Sequence, residues 1–292
     1  MSFASFPLLP NISSTFELVS DVINEKITIP QNILQTYKTA HLEQWTKEQG
    51  KYNRTEWFLS WQNFNPNYKH IVLNDSAAIE FIDANFDNEI SNAYLKMPLV
   101  VLRADMLRYA MMWILGGIYT DSDTICRKSI REWIGEYSDA SLLVSIEWYK
   151  NTIDYPGEKY HHTQLVQWTF AATNNHPVFW NLLEKVTKKV NEASVWYLKS
   201  IQNVEEIGGP QIFTKTIEEY MNLQNETLNS LENGTKRRVY FPKSRVLVLP
   251  HLSFAAVEKD FGTEFAFSSH VFKGFDVDEG WKNGKGVIAG KT

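Results

Sequence analysis

The stretch Leu102–Thr124, LRADMLRYAMMWILGGIYTDSDT, decides how the rest of the 292-residue chain is read. Pro98 opens the segment, and Leu99, Leu102, Met106, Tyr109, Ala110 and Trp113 then recur at helical spacing. That pattern predicts one long helix, ended by Gly116-Gly117. IYTD, residues 118–121, follows as an apolar strand. Asp105 and Arg108 stand three apart and so share a helix face. Asp121 and Asp123 sit where the strand ends. Two carboxylates separated by one residue at an open strand end can converge on a hard cation through oxygen ligands, and magnesium or manganese held there would bind a diphosphate. A second Asp-x-Asp, Asp276 to Asp278, follows neither a glycine pair nor an apolar strand and reads as a solvated loop.

Outward from this block, strands and helices alternate. KITIP (Lys26–Pro30) reads as a strand closed by proline, and KHIVLND (Lys69–Asp75) as another closed by Asn-Asp turn chemistry, with a helix between them at Thr39–Gln49. Residues 75–94 read as helical. After the central block come a short helix around Ser129–Trp133 and a buried strand, SLLVSIEW (Ser141–Trp148). Helices are expected at 163–172, 177–192 and 209–222, and strands near 238–241, 245–249 and 265–272. The alternation predicts an α/β sheet with helices on both faces. Residues 1–25, with two prolines and little periodicity, read as a loosely attached lead-in to one compact domain over 26–292.

Composition narrows the function classes. Hydrophobic residues make up 43% and charged residues 22%, the profile of a packed globular chain. The net charge of −5 supplies no basic field to gather phosphate backbones, so nucleic acid is not an expected partner. The single cysteine, Cys126, excludes an intrachain disulfide and a Cys-rich zinc site. Apolar runs such as Met97–Leu102 and Tyr109–Leu115 fall far short of the roughly 18 residues that a bilayer span requires. No Lys or Arg precedes Lys26, so a targeting segment, if the protein is secretory, is expected to be missing from this chain. Five Asn-x-Ser/Thr sequons, at Asn11, Asn53, Asn74, Asn225 and Asn233, point weakly to a lumenal life.

The central block resembles the DXD sugar-binding block of glycosyltransferase family 32, the group that includes fungal initiating α-1,6-mannosyltransferases. IPQNILQTYKT (Ile29–Thr39), LLVSIEW, QLVQWTFAATNNHPVFWNLL and VLVLPHLSF match in family order, so the resemblance spans roughly residues 28–282. Two segments depart from it. Gly208-Gly209-Pro210 stands for Thr-Gly-Pro, and in HVFKGFDVDEGW Trp281 comes several residues late. The resemblance implies a single-domain GT-A fold, Rossmann-like, with a mostly parallel mixed sheet, a manganese or magnesium ion and a nucleotide-sugar donor, GDP-mannose. It implies transfer to an N-glycan or mannan acceptor with retained configuration. By position, Asp121 and Asp123 would hold the metal and His270 would approach it or the diphosphate, while Asp105 and Arg108 would grip the sugar and phosphate. It further implies a Golgi-lumenal type II membrane protein, whose membrane contact is an N-terminal anchor absent from this chain, with a Golgi glycosyltransferase complex as a further partner.

Other residues carry two readings each. The alternative for Asp105 and Arg108 is a simple helix-surface ion pair, and Tyr119 is either a pocket wall or a core aromatic. Pro30, Gln31, Gln35 and Thr36 border the first strand, where an α/β sheet binds nucleotides. Glu147, at the end of its strand, is a candidate for holding an acceptor hydroxyl during catalysis. His161 and His162 are surface or acceptor-side groups, and the tryptophans Trp45, Trp57, Trp61, Trp148 and Trp168 either stack on sugars or fill the core. DSDT also fits the Asp-x-Asp-x-Thr of haloacid-dehalogenase phosphatases, but the Gly-Asp dipeptide their metal motif needs is missing from the chain. A non-catalytic scaffold of a mannan polymerase complex and a sphingolipid head-group transferase are the remaining alternatives.

Overall fold

The computed structural model describes residues 28–38, 54–149, 163–231, 236–251, 253–256, 263–264 and 266–270. The strands are β1 (Asn32–Thr36), β2 (Lys69–Leu73), β3 (Gly117–Thr120), β4 (Thr124–Cys126), β5 (Leu142–Tyr149), β6 (Thr163–Leu165), β7 (Thr169–Ala172), β8 (Val239–Phe241), β9 (Val246–Leu249) and β10 (Ser268–His270). The helices are α1 (Arg54–Phe64), α2 (Asp75–Asn85), α3 (Asn88–Lys96), α4 (Val100–Leu115), α5 (Ile130–Ile134), α6 (Pro177–Glu192), α7 (Val195–Lys199), α8 (Val204–Ile207) and α9 (Pro210–Leu223).

The main sheet runs β2-β1-β3-β7-β5-β9-β8, with β6 on the edge of β5. β2, β1, β3, β5 and β9 point one way, and β7 and β8 run against them. The expected α/β class, with a mostly parallel mixed sheet between helices, is therefore observed. Successive residues of the strands face opposite layers, and both layers are dry. Leu34, Tyr119, Phe170, Ala172, Leu142 and Val144 pack under α4, α6 and α9. Ile33, Ile118, Ala171, Leu143, Leu247 and Leu249 pack under Trp61, Trp133, Phe254 and Phe267. Burial on both faces explains why these strands read as continuous apolar runs rather than alternating ones.

The long helix ends as the glycine pair predicts. Gly116 and Gly117 have φ of 58° and 114°, values that side chains rarely adopt. A Cβ on Gly116 would run into the Asn174 backbone nitrogen, and one on Gly117 would lie 2.5 Å from the Asn32 carbonyl oxygen. The turn is sealed by the Asn32 side chain, which donates to the carbonyls of Leu115 and Gly116.

Three expectations are corrected. The first strand among the described residues is Asn32–Thr36, past the expected KITIP: residues 28–30 are irregular, and Pro30 lacks the N–H a doubly paired strand needs. Residues 163–172 are not a helix but the two strands β6 and β7, joined through Gln167 and Trp168. TFAA is buried on both faces, which short apolar runs of a strand and of a helix share in sequence. The helix at 75–94 is two helices, α2 and α3, because Asp87 caps a new start by accepting from the N–H groups of Glu89 and Ile90. The expectations for residues 1–25, Thr39–Gln49, Trp45, His161, His162, Asp276, Asp278 and Trp281 lie outside the described residues, as do those for the Trp148 side chain.

Candidate active site

The carboxyl ends of β1, β3 and β5 share one edge of the sheet, where open α/β sheets bind ligands. β3 delivers Asp121 to this edge. The turn after it is tied by Thr124, whose hydroxyl and N–H both donate to the Asp121 carbonyl, at 2.6 and 3.2 Å. Thr120 bridges the hydroxyls of Thr124 and Thr169, at 2.7 and 2.9 Å. The chain then enters β4, which pairs antiparallel with β10 so that His270 stands opposite Thr124. Nothing in the sequence signalled β4. Its pairing brings a residue 147 positions away to the acidic turn, and His270 Nε2 lies 3.1 Å from Asp123 Oδ1.

Asp121, Asp123 and His270 each offer one ligand atom within 4.8 Å of the others. Two carboxylate oxygens and an imidazole nitrogen suit manganese or magnesium rather than a soft metal, so these residues fit the divalent ion that the sequence implied. Asp121 Oδ1 is already engaged, accepting from the Tyr119 hydroxyl at 2.8 Å and lying 3.4 Å from the Arg108 guanidinium. That would leave the second oxygen of Asp121 to hold an ion.

Behind this cluster lies the pair from α4. Asp105 and Arg108 are 2% and 6% exposed, so the helix-surface reading is excluded. Arg108 sits 3.1 Å from Asp105 Oδ1, donates to the Gln167 carbonyl at 3.0 Å and covers the Tyr119 ring at 4.9 Å. Tyr119 is fully buried and reaches the site only through its hydroxyl. Asp105 Oδ2 is buried without a hydrogen-bond partner. Gly208, in the position of the expected Thr, packs against it: a Cβ there would stand 3.1 Å from the Asp105 Cβ. The Gly208 carbonyl accepts from Tyr109 and Gln167, at 2.7 and 2.8 Å.

Burial sets the electrostatics here. It pushes the Asp105 carboxyl up to about 7, with Asp121 adding to the rise and Arg108 opposing it. Burial also raises Asp121, helped by Asp123 and opposed by Arg108. Asp123 is lowered: burial acts against its charge, but the His270 hydrogen bond and the charges of His270 and Arg54 prevail. Burial disfavours the Arg108 cation, yet Asp121, Tyr119 and Asp105 together hold it firmly protonated.

The other candidates separate. Glu147, at the end of β5, accepts from Gln164 at 2.8 Å; burial raises its pKa, with Glu205 adding to the rise and His270 opposing it. Thr36 reaches the edge as expected, 3.5 Å from the Tyr119 hydroxyl. Pro30 is a correction: with Gln31 it precedes β1, a strand length of about 17 Å from this edge, and cannot touch the same ligand. Gln35 is corrected as well. It is fully buried, and both ends of its amide bind protein groups: Nε2 donates to the Asp121 carbonyl at 3.2 Å, and Oε1 lies 2.8 Å from His70 Nε2. Arg54 and His70 were missed, and no local pattern marks them. Arg54, buried at the start of α1, lies 5.3 Å from the ring centroids of both Tyr37 and Trp57. Trp168 does stack, but on His270, at 4.8 Å and 15°, while its carbonyl holds the Asp121 N–H.

Residues 53–139, which contain α4 and the acidic turn, match the family model described as the glycosyltransferase sugar-binding region containing DXD motif. The initiation-specific alpha-1,6-mannosyltransferase of Schizosaccharomyces pombe is 33% identical over 270 residues, 86% of this chain and 64% of that protein. The Candida albicans protein of the same name is 29% identical over 291 residues, 88% of this chain and 74% of its own length. Inositol phosphoceramide mannosyltransferase 3 of S. pombe is 30% identical over 119 residues, 38% of this chain and 31% of that one. The chain thus spans somewhat under two thirds of the first of these relatives. No helix among the described residues is long and apolar enough to cross a membrane.

Proposed function

We propose that this chain, which matches the family of glycosyltransferases with a DXD-containing sugar-binding region over residues 53–139, is an enzyme that moves mannose from GDP-mannose to an α-1,6 position of an N-glycan or mannan acceptor, with retained configuration. The observation that carries this reading is the contact between the Asp121, Asp123 and His270 cluster and the buried Asp105–Arg108 pair. Asp121, Asp123 and His270 would hold a manganese ion. The chemistry supplied by an ion bound there would be neutralisation of charge on a departing diphosphate. Arg108, pinned by three acceptors, presents a preorganised cation on the sugar side of the same leaving group. Asp105 Oδ2 is a buried acceptor that lacks a donor, which suits a sugar hydroxyl.

Glu147, near the carboxyl end of β5, orients the acceptor hydroxyl. With the carboxylates assigned to metal, sugar and acceptor, no enzyme nucleophile is required if the acceptor attacks on the face the diphosphate leaves. The 119-residue match to a relative named for mannosylating inositol phosphoceramide supports a second acceptor class, a sphingolipid head group. The similarity to fungal mannosyltransferases also supports a lumenal, Golgi setting. Turnover of a nucleotide-sugar panel with manganese, followed by NMR of the new linkage, tests the proposal. GDP-mannose consumption and an α-mannoside are expected; preference for a UDP-sugar or a β product overturns it.

A further inference from the structure

The geometry points to His70, on the neighbouring strand β2, as a positioning residue that fixes the acidic turn through Gln35. The argument begins with the Asp121 carbonyl. Two of its donors, the hydroxyl and N–H of Thr124, belong to the turn itself and would travel with it. The third, Gln35 Nε2 at 3.2 Å, belongs to β1 and ties the turn to the sheet. A carbonyl only accepts, so the Gln35 atom facing it must be the NH2 group, and Oε1 must face the other way. There it meets His70 Nε2 at 2.8 Å. An amide oxygen also only accepts, so His70 carries its hydrogen on Nε2.

That tautomer leaves Nδ1 as a bare nitrogen, and Nδ1 is buried without a partner. Phe58 of α1 stacks on the ring at 3.8 Å and 8°, which fixes the ring plane. Burial lowers the His70 pKa to about 3, so the imidazole stays neutral across physiological pH and the polarity of the relay does not reverse. Ring, amide and carbonyl form one oriented chain. Without the imidazole donor, Gln35 Oε1 is a fully buried acceptor with nothing to accept, and the amide is released to turn away from Asp121. Outer partners of this kind typically change metal affinity by roughly 10- to 100-fold.

This inference rests on the metal reading of the site, and its test separates the two. Mn2+ alone is titrated into the full chain and followed by the loss of the free-ion EPR signal. His70→Phe keeps a ring to stack on Phe58 but removes the donor, and is expected to bind Mn2+ about tenfold more weakly. His70→Gln places an N–H near the lost Nε2 and is expected to recover affinity to within about threefold. Gln35→Met cuts the chain from the other side and is expected to match His70→Phe, also covering the case in which that variant does not fold. Donor turnover by the weakened variants should return towards the wild-type rate at saturating Mn2+, which a merely structural defect would not allow. Unchanged affinity in His70→Phe or Gln35→Met overturns the inference, as does equal loss in His70→Gln and His70→Phe or failure of all three to fold. A wild-type chain that binds no Mn2+ overturns the metal reading itself, and this inference with it.

Discussion

Replacing Arg108 by methionine separates what the buried pair does for the fold from what it does for the reaction. The guanidinium lies 3.1 Å from Asp105 and 3.4 Å from Asp121. Its loss leaves the buried Asp105 carboxylate without its counter-charge and the partly exposed Asp121 without its guanidinium, at a cost of about 3–5 kcal/mol. With an unfolding entropy near 2.1 cal/mol/K per residue over 292 residues, that is a fall in Tm of roughly 5–8 °C. The same group is assigned to the leaving diphosphate, where a preorganised donor is worth about 2–4 kcal/mol, or roughly 30- to 900-fold in kcat/KM. The double variant Asp105→Leu/Arg108→Met removes both charges and replaces them with apolar volume, so most of the stability should return while turnover stays lost. Calorimetry and donor turnover on the wild type, Arg108→Met, Asp105→Leu and the double variant decide the matter. An Arg108→Met protein with wild-type Tm would refute the buried-pair energetics, one with wild-type kcat/KM would refute the donor role, and additive losses in the double variant would refute the coupling.

Asp123→Asn is expected to abolish Mn2+ binding and turnover while leaving the circular dichroism spectrum unchanged; full activity in excess chelator would sink the metal assignment. Gly116→Ala puts a Cβ against the Asn174 backbone at φ 58° and should cost more than about 2 kcal/mol, read as a lower denaturation midpoint; an unchanged midpoint would mean the turn relaxes freely. Stability should also respond to pH through Asp105. Its carboxyl rises from 3.8 unfolded to about 7 folded, so between these values the folded state binds the extra proton, and this contribution declines as pH climbs from about 4 to about 7. His70 and His176, lowered by burial from 6.5 to about 3, run the other way over much of that interval, so the comparison must be with Asp105→Asn. The wild type's stability relative to that variant should be greater at pH 4.5 than at pH 7.5, and equal differences in thermal melts would remove Asp105 as the titrating group.

What could be read in advance tracks how local each determinant is. The turn from α4 into β3 was legible because its cause is local: only glycine tolerates the backbone at 116 and 117, and the acidic pair follows within a few residues. Asp105 and Arg108 were legible as a pair from spacing, but not as a buried one. What buries them is the loop around Gln167 and the α8–α9 junction at Gly208, which arrive from 59 and about 100 residues downstream. His270 is the sharper case. Strand periodicity places it at the end of an apolar segment, yet its chemistry depends on β10 finding a three-residue partner, β4, too short to leave a pattern. Gln35 shows the opposite error. Its position at the end of β1 predicted a ligand contact, and the position was right, but a side chain on the pleat beneath the Asp121 carbonyl meets the protein before it can meet a nucleotide. A sheet-edge residue type therefore points to the site, whereas its role depends on which face of the strand it occupies. For β1 that face was hidden by a start displaced past Pro30 and by burial on both sides, which erased the alternation that would have revealed it.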